Sequence, residues 1–237
     1  MTSTANHSTS AAIPSGRVAS HHVDPSGSWT TIEVRADLDL LKISVGPMDN
    51  NAYLLRPTEG PAILVDAAAE PRRLQRMIGS TPVGAVVTTH RHEDHIGALA
   101  AVVEATGAEP WCGTPDAEAI EAATGVTCHR VWDGDLLRLG SIELEVVGLV
   151  GHTRGSIALV VRGGQGRCDH VLTGDALFPG GVGRTVGRRE FDRLFTDVSM
   201  RLFAPLADDT VVHPGHGDAT TIGAQRGSLA LWRARGW

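Results

Sequence analysis

The sequence predicts a single layered α/β domain, and three observations carry that prediction. Short β-branched and apolar runs come first, amphipathic segments alternate with further such runs after residue 70, and nothing resembling a linker interrupts residues 29–237. A chain of 237 residues suits one large domain or two small ones, at about 100–200 residues each. With 42% hydrophobic and 20% charged residues, it has the composition of an ordinary globular protein with a substantial core.

The elements follow in order. Residues 1–28 are rich in Ser, Thr, Ala, Pro and His without a sustained apolar period, so they read as a disordered, mobile tail. They lack the basic start and apolar core of a secretory signal. Thr31–Arg35, Leu40–Val45, Ala52–Leu55 and Ala62–Val65 are bounded by Gly, Pro, Asn and Asp and read as strands. Pro71–Ile78 is an amphipathic helix with proline in its first turn. Ala85–Thr89 is a continuous apolar strand running into His90. Ile96–Thr106 and residues 115–123 are helices closed by Gly107 and Gly125. Val131, Leu136–Leu139 and Ile142–Val147 are strands, the last two joined by a tight turn at Gly140-Ser141. Ile157–Val161 and Val171–Thr173 flank the glycine-rich Gly163–Gly166. Phe191–Phe203 is a helix, Thr210–His213 a strand and Ile222–Trp232 a closing helix.

Composition excludes some functions. A net charge of −6 supplies no cationic field for nucleic acid or an anionic membrane surface. No apolar run approaches the roughly 20 residues that span a bilayer. Neither nucleic acid nor membrane is therefore an expected partner, and oligomeric state is left open. Cys112, Cys128 and Cys168 are odd in number and widely spaced, with no C-x-x-C pair. They read as core residues in a reducing compartment, which predicts a cytoplasmic protein. Lys42 is the only lysine among 21 basic residues, a bias best assigned to base composition.

The chemistry lies in the histidines, whose 11 outnumber the aromatics (Phe 4, Trp 5, Tyr 1). In Thr89-His90-Arg91-His92-Glu93-Asp94-His95, His90 and His92 point to the same side of an extended strand end and can converge on one cation. Asp94 and His95, at the mouth of the following helix, can face a second. His152, Asp175 and His216 each stand just after an apolar run, in Gly151-His152-Thr153, Gly174-Asp175-Ala176 and Pro214-Gly215-His216-Gly217. Five imidazoles and two carboxylates at strand ends suit two divalent cations of zinc type, with iron or manganese as alternatives. Two such cations would lower the pKa of a bridging water and polarise a carbonyl or phosphoryl group.

H-x-H-x-D-H followed by separate His, Asp and His resembles the ligand pattern of the metallo-β-lactamase superfamily, over roughly residues 30–237. The resemblance implies an αββα sandwich, two mixed sheets flanked by helices, with metals at one edge. It assigns His90, His92 and His152 to a first site, Asp94, His95 and His216 to a second, and Asp175 to a bridge. Asp94 is also the candidate catalytic residue. Zinc β-lactamases place Cys or Ser where Asp175 stands, and flavodiiron proteins place Glu at the position of His92. Leu172-Thr173-Gly174-Asp175-Ala176-Leu177-Phe178, Gly180-Gly181-Val182-Gly183-Arg184 and Pro214–Thr221 look like the glyoxalase II (hydroxyacylglutathione hydrolase) group.

That likeness implies hydrolysis of a small acyl thioester by metal-bound hydroxide, with Arg184 helping to bind the thiol carrier's carboxylate. Two departures limit it. Val186 replaces an aromatic, and the helical C-terminal domain that completes glutathione binding is expected to be missing. A short, single-domain branch is therefore the expectation. The alternatives are a mononuclear-iron persulfide dioxygenase, holding iron through His90, His152 and Asp175, and a lactonase or phosphodiesterase with the same ligands. Asp66 reads either as support for the metals or as a turn cap, and Asp49-Asn50-Asn51 either as polar groups near the site or, preferentially, as a turn. His7, His21 and His22 read as solvated tail residues, His129 and His170 as surface or core-edge residues, and His213 as a residue that packs or donates locally.

Overall fold

The structure is a computed structural model and describes residues 21–236. Strands β1 (Thr30–Arg35), β2 (Leu38–Val45), β3 (Asn50–Pro57), β4 (Ala62–Val65), β5 (Val83–Thr88), β6 (Glu109–Gly113) and β7 (His129–Val131) form one sheet in sequence order. β1 to β4 pair antiparallel and β4 to β7 parallel. The parallel crossovers carry helices α1 (Pro71–Ile78), α2 (Glu93–Ile96), α3 (Leu99–Thr106) and α4 (Ala117–Thr124). Next come β8 (Leu136–Leu139), β9 (Ile142–Gly148), β10 (Ile157–Val161) and β11 (His170–Gly174), then a small hairpin of β12 (Leu177–Phe178) and β13 (Gly181–Val182). Helix α5 (Arg188–Val198), strands β14 (Val211–Pro214) and β15 (Thr220–Thr221), and helices α6 (Ile222–Arg226) and α7 (Leu229–Arg235) complete the chain. The second sheet runs β15-β14-β11-β10-β9-β8, with β11 and β14 parallel.

Alternation along the strands builds the layers, because successive side chains leave opposite faces. In β3 and β4, Ala52, Leu54, Ala62 and Leu64 face α1, α3 and α4 through Leu74, Met77, Leu99 and Ile120. Tyr53, Leu55, Ile63 and Val65 face the other way and meet Leu144, Val146, Ile157 and Leu159 of the second sheet. The outer face of that sheet, including Val160, Val171 and Val212, is covered by Phe191, Leu194, Phe203 and Trp232. The result is the helix–sheet–sheet–helix sandwich that the resemblance implies. Strands covered on both faces read as unbroken apolar runs for this reason. Among the described residues, no helix is long and apolar enough to cross a membrane.

Several boundaries differ from the sequence reading. β6 is a strand to which the sequence reading gave no element; Pro110 pairs with Val86 and precedes Trp111, the first residue paired with β7. The helix expected over 96–106 is two helices, α2 starting earlier at Glu93 and α3 following Gly97-Ala98. Phe191–Phe203 begins instead at Arg188, and its last turn, Ser199–Phe203, is a π-helix. The closing helix divides at Gly227-Ser228. The part of the expected tail from His21 onward packs on the domain: Val23 is buried, and Arg73 donates to the carbonyls of Pro25 and Gly27, both at 2.6 Å. His7 and the rest of residues 1–20 lie outside the described residues. Cys112 and Cys128 sit in the core beneath α3 and α4, as expected, and Cys168 is half-buried.

His170 is buried rather than at the surface. Its Nδ1 lies 2.9 Å from His213 Nε2, and the two rings stack with centroids 5.2 Å apart. On the other side of His213, His21 stacks at 5.8 Å. Burial, helped by His21, pushes the His170 imidazolium down to about 4, and burial with His170 beside it pushes His213 well below its ordinary value. The fold therefore holds neutral rings, whereas the unfolded chain binds protons once the pH falls below about 6.5. This contribution is fully present above that value and is lost as pH falls towards 4. Urea midpoints should drop more steeply between about pH 7 and 4.5 in the wild type than in His170→Asn, a difference on the order of 2 kcal/mol.

Candidate metal centre

Every candidate ligand follows the C-terminal end of a strand, and all those ends lie at one edge of the sandwich. β5 leads into His90, β9 into His152, β11 into Asp175 and β14 into His216. Backbone bonds lace this edge together across the two sheets: Ile157 N donates to Thr89 O at 2.9 Å, Asn51 N to Gly215 O at 2.7 Å, and Gly215 N to Gly174 O at 2.8 Å. Lys42, the single lysine, lies fully buried and donates to Gly217 O at 2.5 Å. Burial lowers that ammonium to about 8.

The seven predicted residues form overlapping groups of donors. His90, His92 and His152 make one, Asp94, His95 and His216 a second, and His90, His95 and Asp175 a third, with the donor atoms of each within 4.8 Å of one another. Asp175 spans the groups: its carboxylate is 3.5 Å from His152 Nε2, 3.4 Å from His95 Nε2 and 3.4 Å from His216 Nε2. His95 Nε2 and His216 Nε2 face each other at 3.2 Å, with Asp94 Oδ2 at 3.3 Å from the latter.

These residues fit a pair of divalent cations. His90 Nε2 and His152 Nε2 are buried without hydrogen-bond partners, a costly arrangement unless a cation engages them. The opposite nitrogens are already occupied: His152 Nδ1 by Arg184 O at 2.7 Å, His216 Nδ1 by Met48 O at 2.8 Å, and His95 Nδ1 by Asp66 Oδ2 at 2.9 Å. Such bonds select the tautomer that leaves Nε2 as a donor to metal. Burial, with His95 nearby, drives His90 well below the ordinary histidine range, and burial also lowers His92. At His95 burial acts in the same sense, but hydrogen bonds to Asp175 and Asp66 outweigh it and raise the ring to about 10. At Asp175, bonds from His216 and His95 outweigh burial and hold the carboxylate ionised.

Two buried carboxylates organise the loops. Asp66 accepts from Thr89 N at 2.7 Å, Thr89 Oγ1 at 2.8 Å and His95 Nδ1 at 2.9 Å, and Thr89 Oγ1 in turn contacts His90 Nδ1 at 3.0 Å. Of the two sequence readings for Asp66, support for the ligands is the one realised. Asp116 accepts from Thr153 Oγ1 at 2.6 Å, Gly155 N at 2.9 Å and Arg91 N at 3.1 Å, tying the His90–His92 loop to the His152 loop. That approach needs glycine: a Cβ on Gly155 would stand 2.4 Å from Asp116 N. Gly215 is constrained likewise, since its Cβ would meet Asp175 Oδ1 at 2.1 Å.

Asp116 opens a helix in the sequence and would be read as its cap, yet its side chain makes no capping bond. Asn50, read either as a polar group near the site or as part of a turn, does the former: its Nδ2 donates to Asp94 Oδ2 at 2.8 Å, while Asp49 beside it takes a left-handed backbone. His22, given to the tail, bonds Asp218 at 2.6 Å beside the last ligand loop. Arg184 reaches the centre through its carbonyl on His152; its side chain is exposed.

Fold and donor set together define a metal-binding hydrolase sandwich. The chain belongs to the metallo-beta-lactamase superfamily: the sequence model of that superfamily, whose members are mostly metal-dependent hydrolases, matches residues 45–216 and encloses all seven candidate ligands. Among curated relatives, the hydroxyacylglutathione hydrolase GloC of Haemophilus influenzae is 28% identical over 204 residues, 78% of this chain and 94% of that protein. Among solved structures, the BLEG-1 B3 metallo-beta-lactamase matches with a TM-score of 0.70 at 25% identity, covering 81% of this chain and 98% of the other. TTHA1623 in a di-iron-bound form matches with a TM-score of 0.63 at 30% identity, covering 78% and 96%.

Replacing Asp66 tests the support it gives both donor groups. Asp66→Ala should lower metal affinity about 10–100-fold, read by metal quantification after dialysis against a graded chelator. It should also destabilise the metal-free fold by roughly 1–3 kcal/mol in urea melts, because His95 Nδ1 and the Thr89 donors lose their buried acceptor. Unchanged metal retention would reduce Asp66 to a turn former.

Proposed function

We propose that this protein is a dinuclear-metal hydrolase of small acyl thioesters, similar to the glyoxalase II group. The observation that carries the reading is Asp175, a buried carboxylate reaching both donor groups where the zinc β-lactamases place Cys or Ser. The similarity to GloC over most of both chains supports it. Zinc is the expected metal, with iron as the alternative that the di-iron relative suggests.

Bound divalent cations would supply an activated water and Lewis-acid polarisation of the thioester carbonyl. The chain's own part is positioning and proton handling. The Nδ1 contacts made by His95, His152 and His216 hold three imidazoles in one tautomer. Asp94 Oδ2 is engaged by Asn50 and His216, which leaves the other carboxylate oxygen to accept a proton from water and return it to the departing sulfur. A small acyl group and a soluble thiol carrier are the expected substrate, and a cytoplasmic setting is part of the same proposal, in keeping with the free cysteines.

Metal-reconstituted protein should be assayed on hydroxyacyl thioesters beside a lactone, a phosphodiester, a β-lactam and a persulfide under oxygen. Thioester kcat/KM is expected to exceed the rest by tenfold or more. Loss of a ligand in His92→Ala should reduce it about 10²-fold or more, since several kcal/mol of transition-state stabilisation goes with the cation. Protein with two bound metals that turns over none of the thioesters would overturn the reading; a single iron with oxygen uptake on persulfide would replace it.

A further inference from the structure

Buried hydrogen-bond donors from β2 and β3 converge on the backbone of the His216 loop. Asn51 Nδ2 reaches Pro214 O at 2.9 Å and Gly217 O at 3.0 Å, and Tyr53 OH reaches Pro214 O at 2.7 Å. Lys42 Nζ donates to Gly217 O at 2.5 Å and, at 3.1 Å, to the carbonyl of His21 in the N-terminal segment. That segment is fastened further: the His21 ring stacks on His213, His22 bonds Asp218, and Val23 is buried. His21 also holds a left-handed backbone, at φ 43°, which a non-glycine residue keeps only where its contacts over-determine it. The superfamily match begins at residue 45, so both Lys42 and this segment lie outside it.

We propose that Lys42 and residues 21–23 form a latch that positions His216, so that closure of the latch and cation binding by Asp94, His95 and His216 favour each other. The proposal rests on the two-cation centre of the reading above and adds a control on one of its two donor groups. Lys42 is a positioning residue, acting through Gly217, the next residue after His216. A buried ammonium is costly unless its donors find acceptors, and one of the two carbonyls that Lys42 finds belongs to the N-terminal segment. Release of that segment therefore weakens the hold of Lys42 on the loop. His216 Nε2 stands 3.2 Å from His95 Nε2 and 3.3 Å from Asp94 Oδ2, so a small shift of the loop opens this group. The His90–His92 and His152 loops are tied separately, through Asp116. Coupling of this kind is reciprocal: whatever the latch adds to cation affinity, the cation returns to latch closure.

Stepwise zinc titration against a chromogenic chelator tests the latch, the step lost in His216→Ala marking the Asp94, His95 and His216 group. Lys42→Met should weaken that step about tenfold and the other by less than about twofold. His21→Ala with Val23→Ala, which leaves Lys42 and the ligand loop in place, should do the same. In the wild type, hydrogen exchange at the amides of residues 21–28 should slow by a comparable factor as that group fills and stay unchanged as the other fills. Equal weakening of both steps in the variants, or exchange indifferent to the metal, would overturn the proposal, and the exchange measurement needs no variant to fold. A wild type that binds one zinc refutes the two-cation reading and the latch with it. Two coupled steps in a protein that hydrolyses no thioester keep the latch and refute only the reaction.

Discussion

One buried carboxylate holds the centre together. Asp66 receives the backbone and hydroxyl of Thr89 and the Nδ1 of His95, so a single side chain connects both donor groups at once. Through Thr89 it reaches His90, and through His95 it reaches Asp175 and His216. The Asp66 carboxyl is buried, and every side-chain and backbone partner it meets there is a donor, so its burial leaves no oxygen facing an apolar wall. The backbone of Asp66 is left-handed, at φ 57°, a conformation tolerated because this network over-determines it.

The sandwich serves that network by bringing strand ends to one edge. β5, β9, β11 and β14 each lead into a candidate ligand, and interstrand backbone bonds such as Gly215 N to Gly174 O keep the loops close enough for donor atoms to meet. Asp116 does for the His90–His92 and His152 loops what Asp66 does for the two groups. Charge is then divided spatially: carboxylates gather around the imidazoles, and arginines gather around a cleft that opens beside His152. A negative net charge therefore describes neither region.

The candidate ligands that the fold brings together were legible in the sequence because each is a histidine or aspartate placed after an apolar run, often beside glycine. Their supports were legible only as alternatives, Asp66 beside a turn cap and Asn50 beside a turn, and Asp116 not at all, because a supporting role depends on which loops meet in space. Asp116 carries the local signature of a helix cap and acts on a loop 37 residues away. Asn50 looks like turn punctuation and holds Asp94, 44 residues on. His170 looked peripheral beside Asp169, but parallel pairing of β11 with β14 and the cover from His21 bury its ring. β6 had no counterpart in the sequence reading, and its pairing with β5 and β7 places it in the sheet.

The sequence by itself determined the layered α/β class, most of the strands, the seven candidate ligands and the superfamily, because periodicity and residue chemistry are local properties. Tertiary structure decided the rest. It decided between the two readings of Asp66 and made Asp116, which had no role in the sequence reading, a second tie of the centre; it turned Arg184 into a carbonyl partner for His152, and collected Arg91, Arg154, Arg189 and Arg193 from three separate segments around one cleft. Electrostatic effects fall off within several ångströms, so what a charged side chain does is set by its neighbours in space and not by those in the chain.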